Sequence, residues 1–447
     1  MSLSDELDKI LILRSQPDFD VKFARLNEKK APAGRFAGYD SEGSRQVLKI
    51  IRKVAENGDD AVRNYTKRFD GEDLTPDKFR VAKGDLEKAH REIDPDLLRS
   101  IRKAVENVRK YQSEIFIGNR KHSGITYTPI KRVGICVPGA AAPMPSTVIM
   151  TAVPAIVAGV EPQDIVVVSP PRYKPSAKEK GTIHPVTLAV CHELKIENVY
   201  RIGGAQAIAA LTCSKGIIPK VDKIVGPGNL WVQTAKKMVA QDYVGIDSIM
   251  GPSEVFIIAN AKAKPAWVAA DMLSQAEHGE YSKSIVTTDS ETIARQILLE
   301  LKRQVGKLPR ANQAQKSLLE FGAIVALNSM TEVIDFANEF AAEHLEVQCG
   351  DESRSIAEQI HNAGAIFIGE YTPVAVGDYW AGPSHTLPTE MRAKFSSALT
   401  SNDFIKSISV VEYDAKKLAE SAEDIIRLAE AEGLDAHAKS IRIRQQG

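Results

Sequence analysis

Residues 133–171 read VGICVPGAAAPMPSTVIMTAVPAIVAGVEPQDIVVVSPP, and this stretch decides the fold. Two β-branched runs, Val133 to Val137 and Asp164 to Val168, flank a helical segment, Ser146 to Gly159. Apolar runs of this length, separated by a helix, describe parallel strands buried on both faces. The alternation continues to Gly251 through Asn198 to Ile202, a helix from Gln206 to Leu211, and Lys223 to Val225. It predicts βαβ units around a parallel sheet. The strands run into turns: Val137-Pro138-Gly139, Ser169-Pro170-Pro171, Ile202-Gly203-Gly204 and Val225-Gly226-Pro227-Gly228. Ligands of open α/β sheets sit at the carboxyl ends of strands, so a binding crevice is expected at these turns.

Downstream, VFIIAN at 255–260 opens a second alternation. It runs through a helix ending near Gln275, SIVTTD at 284–289, a long helix from Glu291, GAIVAL at 322–327, a helix from Met330 to Glu343, and GAIFIG at 364–369. Upstream, Glu42 to Phe69 and Leu86 to Glu114 have helical spacing, Ile125 to Thr128 is strand-like, and residues 1–31 form a polar, helix-prone arm. Residues 413–432 form a charged amphipathic helix, expected to pack on another subunit.

The chain has 447 residues, with 58 Lys+Arg against 58 Asp+Glu, which argues against a polyanion partner and hence against nucleic acid. The most apolar stretch, Met144 to Val160, is interrupted by Pro145 and Pro154 and falls short of the ~20 residues a membrane span needs. The opening MSLSDELDKI lacks the basic and apolar regions of a secretory signal, so a cytoplasmic protein is expected. Cys136, Cys191, Cys213 and Cys349 have no C-x-x-C spacing, against a disulfide framework or a thiolate zinc site. Neither G-x-G-x-x-G nor a P-loop occurs.

Four histidines stand near oxygen donors at element ends or in loops. Gln275 and His278 lie three apart near a helix end, where such side chains share a face. Glu343 and His344 pair a carboxylate with an imidazole, which titrates near neutral pH and suits general-base work. Gly377 to His385 is a loop holding Asp378, Tyr379 and His385, and Glu432 to His437 adds another acid and imidazole. Neutral imidazoles with oxygen ligands and no cysteine describe a catalytic site for zinc or a similar divalent ion.

The ordered blocks GICVPGAAAPMPST, IGGAQAIAAL, IPKVDKIVGPGN, VGIDSIMGPSE, DMLSQAEHG, AAEHLEVQ, GDYWAGPSHTLPT, KFSSALT and AEGLDAHAKSIRIR span nearly the whole chain. In these blocks the sequence resembles the histidinol dehydrogenase family. The resemblance implies an α/β fold of two Rossmann-like domains with small N- and C-terminal arms, assembled as an intertwined homodimer. It divides the chain into an arm (1–31), a substrate and metal domain (32–135 with 253–399), an NAD-binding domain (136–252) and a dimerisation tail (400–447). It implies one Zn2+ per subunit held by Gln275, His278, Asp378 and His437, the last from the partner subunit, with Glu343 and His344 as the acid/base pair. Ser253, His385 and Glu432 would help hold the substrate, beside Gln275, His278, His344, Asp378, Tyr379 and His437. Cys136, Gln206 and Asn229 would meet NAD+. The implied reaction is NAD-dependent four-electron oxidation of L-histidinol to L-histidine through bound L-histidinaldehyde, the last step of histidine biosynthesis. Its partners would be a small-molecule substrate and a second copy of the chain sharing the site, with no nucleic acid and no membrane.

The chain departs from the family pattern at Cys136 (usually Tyr), Ala140 (Gly), Ser384 (Asn) and Glu390-Met391-Arg392 (a Gly-rich turn). These positions border the expected pocket and keep open a paralogue that oxidises another polar primary alcohol, of the sulfopropanediol type, with the same zinc and NAD machinery. Two further readings are an aldehyde dehydrogenase using Cys136 or Cys349 as thiolate, and a binding protein in which the metal is structural.

Overall fold

A computed structural model describes residues 5–28, 41–139, 143–174, 181–213, 215–240 and 242–446. Ala140 and residues 29–31, the end of the expected arm, lie outside the described residues. Two compact units are formed: Met1–Phe116 with Pro129–Phe404, and Ile117–Thr128 with Ile405–Gly447.

The larger unit holds two parallel sheets. In the first, Val133–Cys136 pairs with Ile165–Val168, which pairs with Asn198–Tyr200; on its other edge stand Lys223–Val225 and then Gly245–Ile246. Strands are added outward in one direction and then, from Lys223–Val225, in the other. The switch point therefore lies where Cys136 and Val225 end side by side, the place at which such sheets bind ligands. There the backbones approach closely. Gly226 has φ +105°, and a Cβ on it would lie 2.4 Å from the Cys136 carbonyl oxygen, so only glycine fits.

The second sheet repeats this order. Glu254–Ala259 is followed on one side by Lys283–Thr288 and Gly322–Ala326, and on the other by His344–Gln348 and Ala365–Ile368, all parallel. Leu11–Leu13 adds a sixth strand beside Gly322–Ala326, all three residues buried. The sequence reading places these residues in a polar arm. Three residues carry no periodicity, and their partner lies some 300 residues downstream, so no local signal reveals them. His344–Gln348 was likewise not expected as a strand: its polar residues alternate with apolar ones, and all are buried.

Helix Glu42–Asp70, capped by the Ser41 hydroxyl and ended by Gly71 at φ +75°, buries Val47, Ile50, Val54 and Val62. Each such side chain contributes roughly 1.5–3 kcal/mol on burial. They join Val166, Val168, Ile208 and Leu211 in the core of the first sheet. The sequence reading groups this helix with the metal domain; an apolar stripe shows that a helix docks, not on which sheet. The expected helix Leu86 to Glu114 is two helices, Lys83–Glu92 and Pro95–Ile115. Asp94 caps the second by accepting the Asp96 and Leu97 N–H groups at 2.8 Å, with Pro95 in the first turn, where its missing N–H does no harm.

In the smaller unit, Ile125–Pro129 pairs with Ile405–Ser409, and helices Ala415–Ala431 and Asp435–Gln445 pack on each other. Among the described residues no helix is long and apolar enough to cross a membrane.

Candidate active site

In the second sheet the candidate residues gather at the amino ends of the strands, not the carboxyl ends. Topology explains this. Helix Pro265–Ala276 follows Glu254–Ala259 and returns antiparallel to it, so its last turn brings Gln275 back to the level where that strand began. Helix Met330–Phe340 returns likewise and stops at Ala341, φ +50°, a left-handed conformation costing roughly 1–2 kcal/mol in a residue with a Cβ. That reversal turns Glu343 and His344 into the head of the next strand. They are therefore not on the helix end that sequence spacing suggests.

Glu254 organises the pair. Its N–H donates to Glu343 Oε2 at 2.8 Å, and its carbonyl lies 2.9 Å from His344 Nδ1. An imidazole facing a carbonyl must carry its proton on that nitrogen, which leaves Nε2 as the basic atom. His344 Nε2 is buried, finds no hydrogen-bond partner among the described residues, and stands 3.7 Å from Asp378 Oδ1. The Glu254 carboxylate takes the Lys283 ammonium at 2.7 Å and the Glu390 N–H at 3.1 Å.

Charge follows geometry. Burial raises Glu343 to about 8, opposed by His344. Burial works against protonated His344, but the Glu343 and Asp378 charges outweigh it and hold the imidazole at about 9. Burial likewise opposes ionised Asp378, yet His344, His385 and His278 hold its carboxyl below the ordinary range. His385 is pushed down, chiefly by burial. Asp378 thus sits among three imidazoles.

Gln275 is buried, and its Nε2 finds no partner among the described residues; which end of the amide is oxygen is set by partners, so a ligand can decide it. His278 is exposed, with Nδ1 2.9 Å from the Ser274 carbonyl, the outer-shell contact that leaves Nε2 free to ligate. Ser253 lies partly buried beside Glu254, and Tyr379 is exposed next to Asp378, its phenol raised by burial and by Asp378. Glu432 and His437 belong to the smaller unit, exposed at the junction of its two helices.

At the first sheet's switch point Cys136 is buried, and Asn229 accepts the Val232 N–H at 3.2 Å as the cap of helix Leu230–Val239. Gln206, in the first turn of helix Gly204–Cys213, is buried with neither amide atom partnered among the described residues. Burial pushes the Cys136 and Cys349 thiols to about 12, which disfavours a thiolate nucleophile at either position. Ser384 donates to the Met150 carbonyl at 2.9 Å and accepts the Thr386 N–H, so it braces its own loop. Glu390 and Met391 adopt φ +53° and +64°, the conformations a Gly-rich turn would supply.

Sequence reasoning missed Glu254, Lys283, Asp271, Glu346 and Gln348. The available signal was HLEVQ, whose period of two marks a strand; its polar face points inward instead of to water.

Two parallel α/β sheets share the larger unit, one with a switch point of the kind that binds ligands and the other with a carboxyl and an imidazole buried side by side, an arrangement suited to an α/β oxidoreductase. The comparisons specify which. The histidinol dehydrogenase family model matches residues 35–445, and the chain belongs to that family. It is 43% identical over 444 residues to the histidinol dehydrogenase of Rhodopirellula baltica, covering 95% of this chain and 94% of the relative. The Synechococcus sp. histidinol dehydrogenase is 43% identical over 407 residues, covering 90% and 92%. The crystal structure of histidinol dehydrogenase from Elizabethkingia anophelis superposes with a TM-score of 0.86 at 32% identity, covering 98% of each chain.

Proposed function

We propose that this protein oxidises L-histidinol to L-histidine with two NAD+, the closing step of histidine biosynthesis. The observation that carries the reading is the buried His344, with Nδ1 anchored on a carbonyl and Nε2 unpartnered opposite Asp378. In the first oxidation the neutral form of His344, its Nε2 proton already released, takes the hydroxyl proton on Nε2 as hydride passes from the carbinol carbon to the nicotinamide; such a base contributes ~10² to 10⁴ in rate. In the second, Glu343 in its ionised form takes a proton from the water that hydrates the bound aldehyde, and burial gives that carboxylate a raised proton affinity. The hydrate anion so formed gives its hydride to the second NAD+ and its remaining hydroxyl proton to solvent by way of His344, leaving the carboxylate.

Gln275, His278 and Asp378 would hold the zinc ion, and His437 of the partner subunit would complete the set. Their state fits: a half-unpartnered amide, a braced imidazole and an ionised carboxylate. Among the described residues no group of three or more His, Cys, Asp and Glu is arranged for a metal; this set has only two such members from one unit, plus an amide. When bound, zinc supplies a Lewis acid that offsets the Asp378 charge and fixes the substrate's nitrogens. Ser253, Tyr379, His385 and Glu432 would line the substrate. NAD+ would lie over the first switch point, against Cys136 and Asn229, and satisfy the Gln206 amide.

The test is NADH formed per alcohol consumed. Two equivalents with histidinol are expected. One equivalent, or turnover of a sulfonated propanediol but not histidinol, rejects the reading.

A further inference from the structure

Behind the acid/base pair, away from its reacting atoms, lies a second polar cluster. Gln348 Nε2 donates to Asp271 Oδ2 at 2.7 Å and to Glu346 Oε2 at 2.8 Å, and Glu346 Oε1 accepts the Val374 N–H at 2.9 Å. Glu346 and Gln348 are almost fully buried and Asp271 is half-buried. Two carboxyls that receive the same N–H2 group cannot both be ionised in such surroundings, so one proton rests between them. Burial raises both acids accordingly, Glu346 to about 8.

The cluster joins three elements, and its members stand one structural repeat behind three site residues. Asp271 precedes Gln275 by four positions on helix Pro265–Ala276, and Val374 precedes Asp378 by four on segment Val374–Tyr379. In each case the offset is about one helical turn. Glu346 follows His344 by two along the strand, on the same face of the sheet. A tie at one level thus fixes spacing at the next: a displacement of Asp271 or Val374 carries Gln275 or Asp378 with it through a single turn of backbone.

We propose that Asp271, Glu346 and Gln348 are positioning residues that set the spacing of Gln275, Asp378 and His344, and through it metal affinity and base alignment. The inference rests on the metal and base roles given above. Its test reads zinc binding directly, by chelator competition on the full-length dimer, alongside kcat and the Kd for NAD+.

Glu346→Leu fills the volume but leaves the Val374 N–H without its acceptor and Gln348 with only Asp271. Zinc affinity and kcat are expected to fall about 10-fold or more, with NAD+ affinity unchanged, since NAD+ lies on the other sheet. Glu346→Gln keeps a carbonyl for the Val374 N–H, the tie to segment Val374–Tyr379, but puts an N–H2 where Gln348 had an acceptor, so zinc affinity should fall clearly less than in Glu346→Leu. Wild-type zinc affinity in Glu346→Leu overturns the proposal, as does equal damage in Glu346→Gln. Should Glu346→Leu fail to fold, Val374→Pro removes the donated N–H at a first-turn position that tolerates proline, while also reshaping a buried side chain; unchanged zinc affinity there also overturns it. Wild-type protein that binds zinc but leaves histidinol untouched refutes the functional reading alone, and the zinc comparison still decides the positioning.

Discussion

Lys236→Met tests how the cofactor turn is built. Lys236 is fully buried, its ammonium 2.5 Å from Asp247 Oδ1 and 3.1 Å from the Gly226 carbonyl. Asp247 also accepts the Gly226 and Ser248 N–H groups, each at 2.7 Å. The ion pair therefore clamps both polar groups of Gly226, the residue that passes against Cys136. Removing one partner of a buried pair costs about 3–5 kcal/mol, because the other charge stays buried. Asp247 would keep two N–H donors, and Lys223 also exerts its charge there, although its ammonium is held by the Asp403 carbonyl at 2.6 Å. Both effects favour the lower end, about 3 kcal/mol. Asp247→Leu should cost more. It strands the Lys236 charge with one carbonyl and orphans two buried N–H groups, each worth about 1–3 kcal/mol. Urea unfolding followed by circular dichroism gives the ranking, and NAD+ titration by fluorescence should show weaker binding in both variants. A Lys236→Met protein within about 0.5 kcal/mol of wild type, or Asp247→Leu the more stable of the two, would show that the pair is not what holds the turn.

Other consequences are open to measurement. His344→Asn retains an N–H able to meet the Glu254 carbonyl but loses the basic nitrogen, so single-turnover NADH formation should slow ~10²-fold or more with zinc content unchanged; wild-type kinetics would remove His344 from its role. Glu346 in the folded protein binds its proton up to about 8, whereas its ordinary value is 4.5, so its contribution to stability is present at acid pH and is lost as pH rises through that window. Thermal melts should decline across it less steeply in Glu346→Gln, and parallel curves would contradict the assignment. Deleting residues 413–447 removes Glu432 and His437 and should abolish both zinc binding and the dimer; an active, zinc-loaded truncation would refute their assignment.

The βαβ alternation from Val133 to Val225 was legible because fully buried strands are unbroken apolar runs with Gly or Pro at their ends. Glu343, His344, Gln275, His278 and Asp378 were legible as candidates, being polar groups at element ends, and the structure brings Glu343, His344 and Asp378 together. What was hidden had no local mark. Leu11–Leu13 depends on a remote partner, and His344–Gln348 hides an inward polar face behind a pattern that ordinarily describes a solvated strand. The docking of Glu42–Asp70 was equally silent, since its apolar stripe would suit either sheet. The carboxyl-end rule points to the turns of the first sheet and says nothing of the second, where residues on returning helices converge at the opposite edge.

The pairing of Leu11–Leu13 with Ile324–Ala326 bears on how the chain is made. These three residues leave the ribosome some 300 codons before their neighbour, about 15 to 60 s at ordinary translation speeds. Throughout that interval the apolar tripeptide has no native companion. The second sheet gains this edge only after residues 322–326 have been synthesised, so Leu11–Leu13, made before any other strand of the sheet, is among the last to find its place.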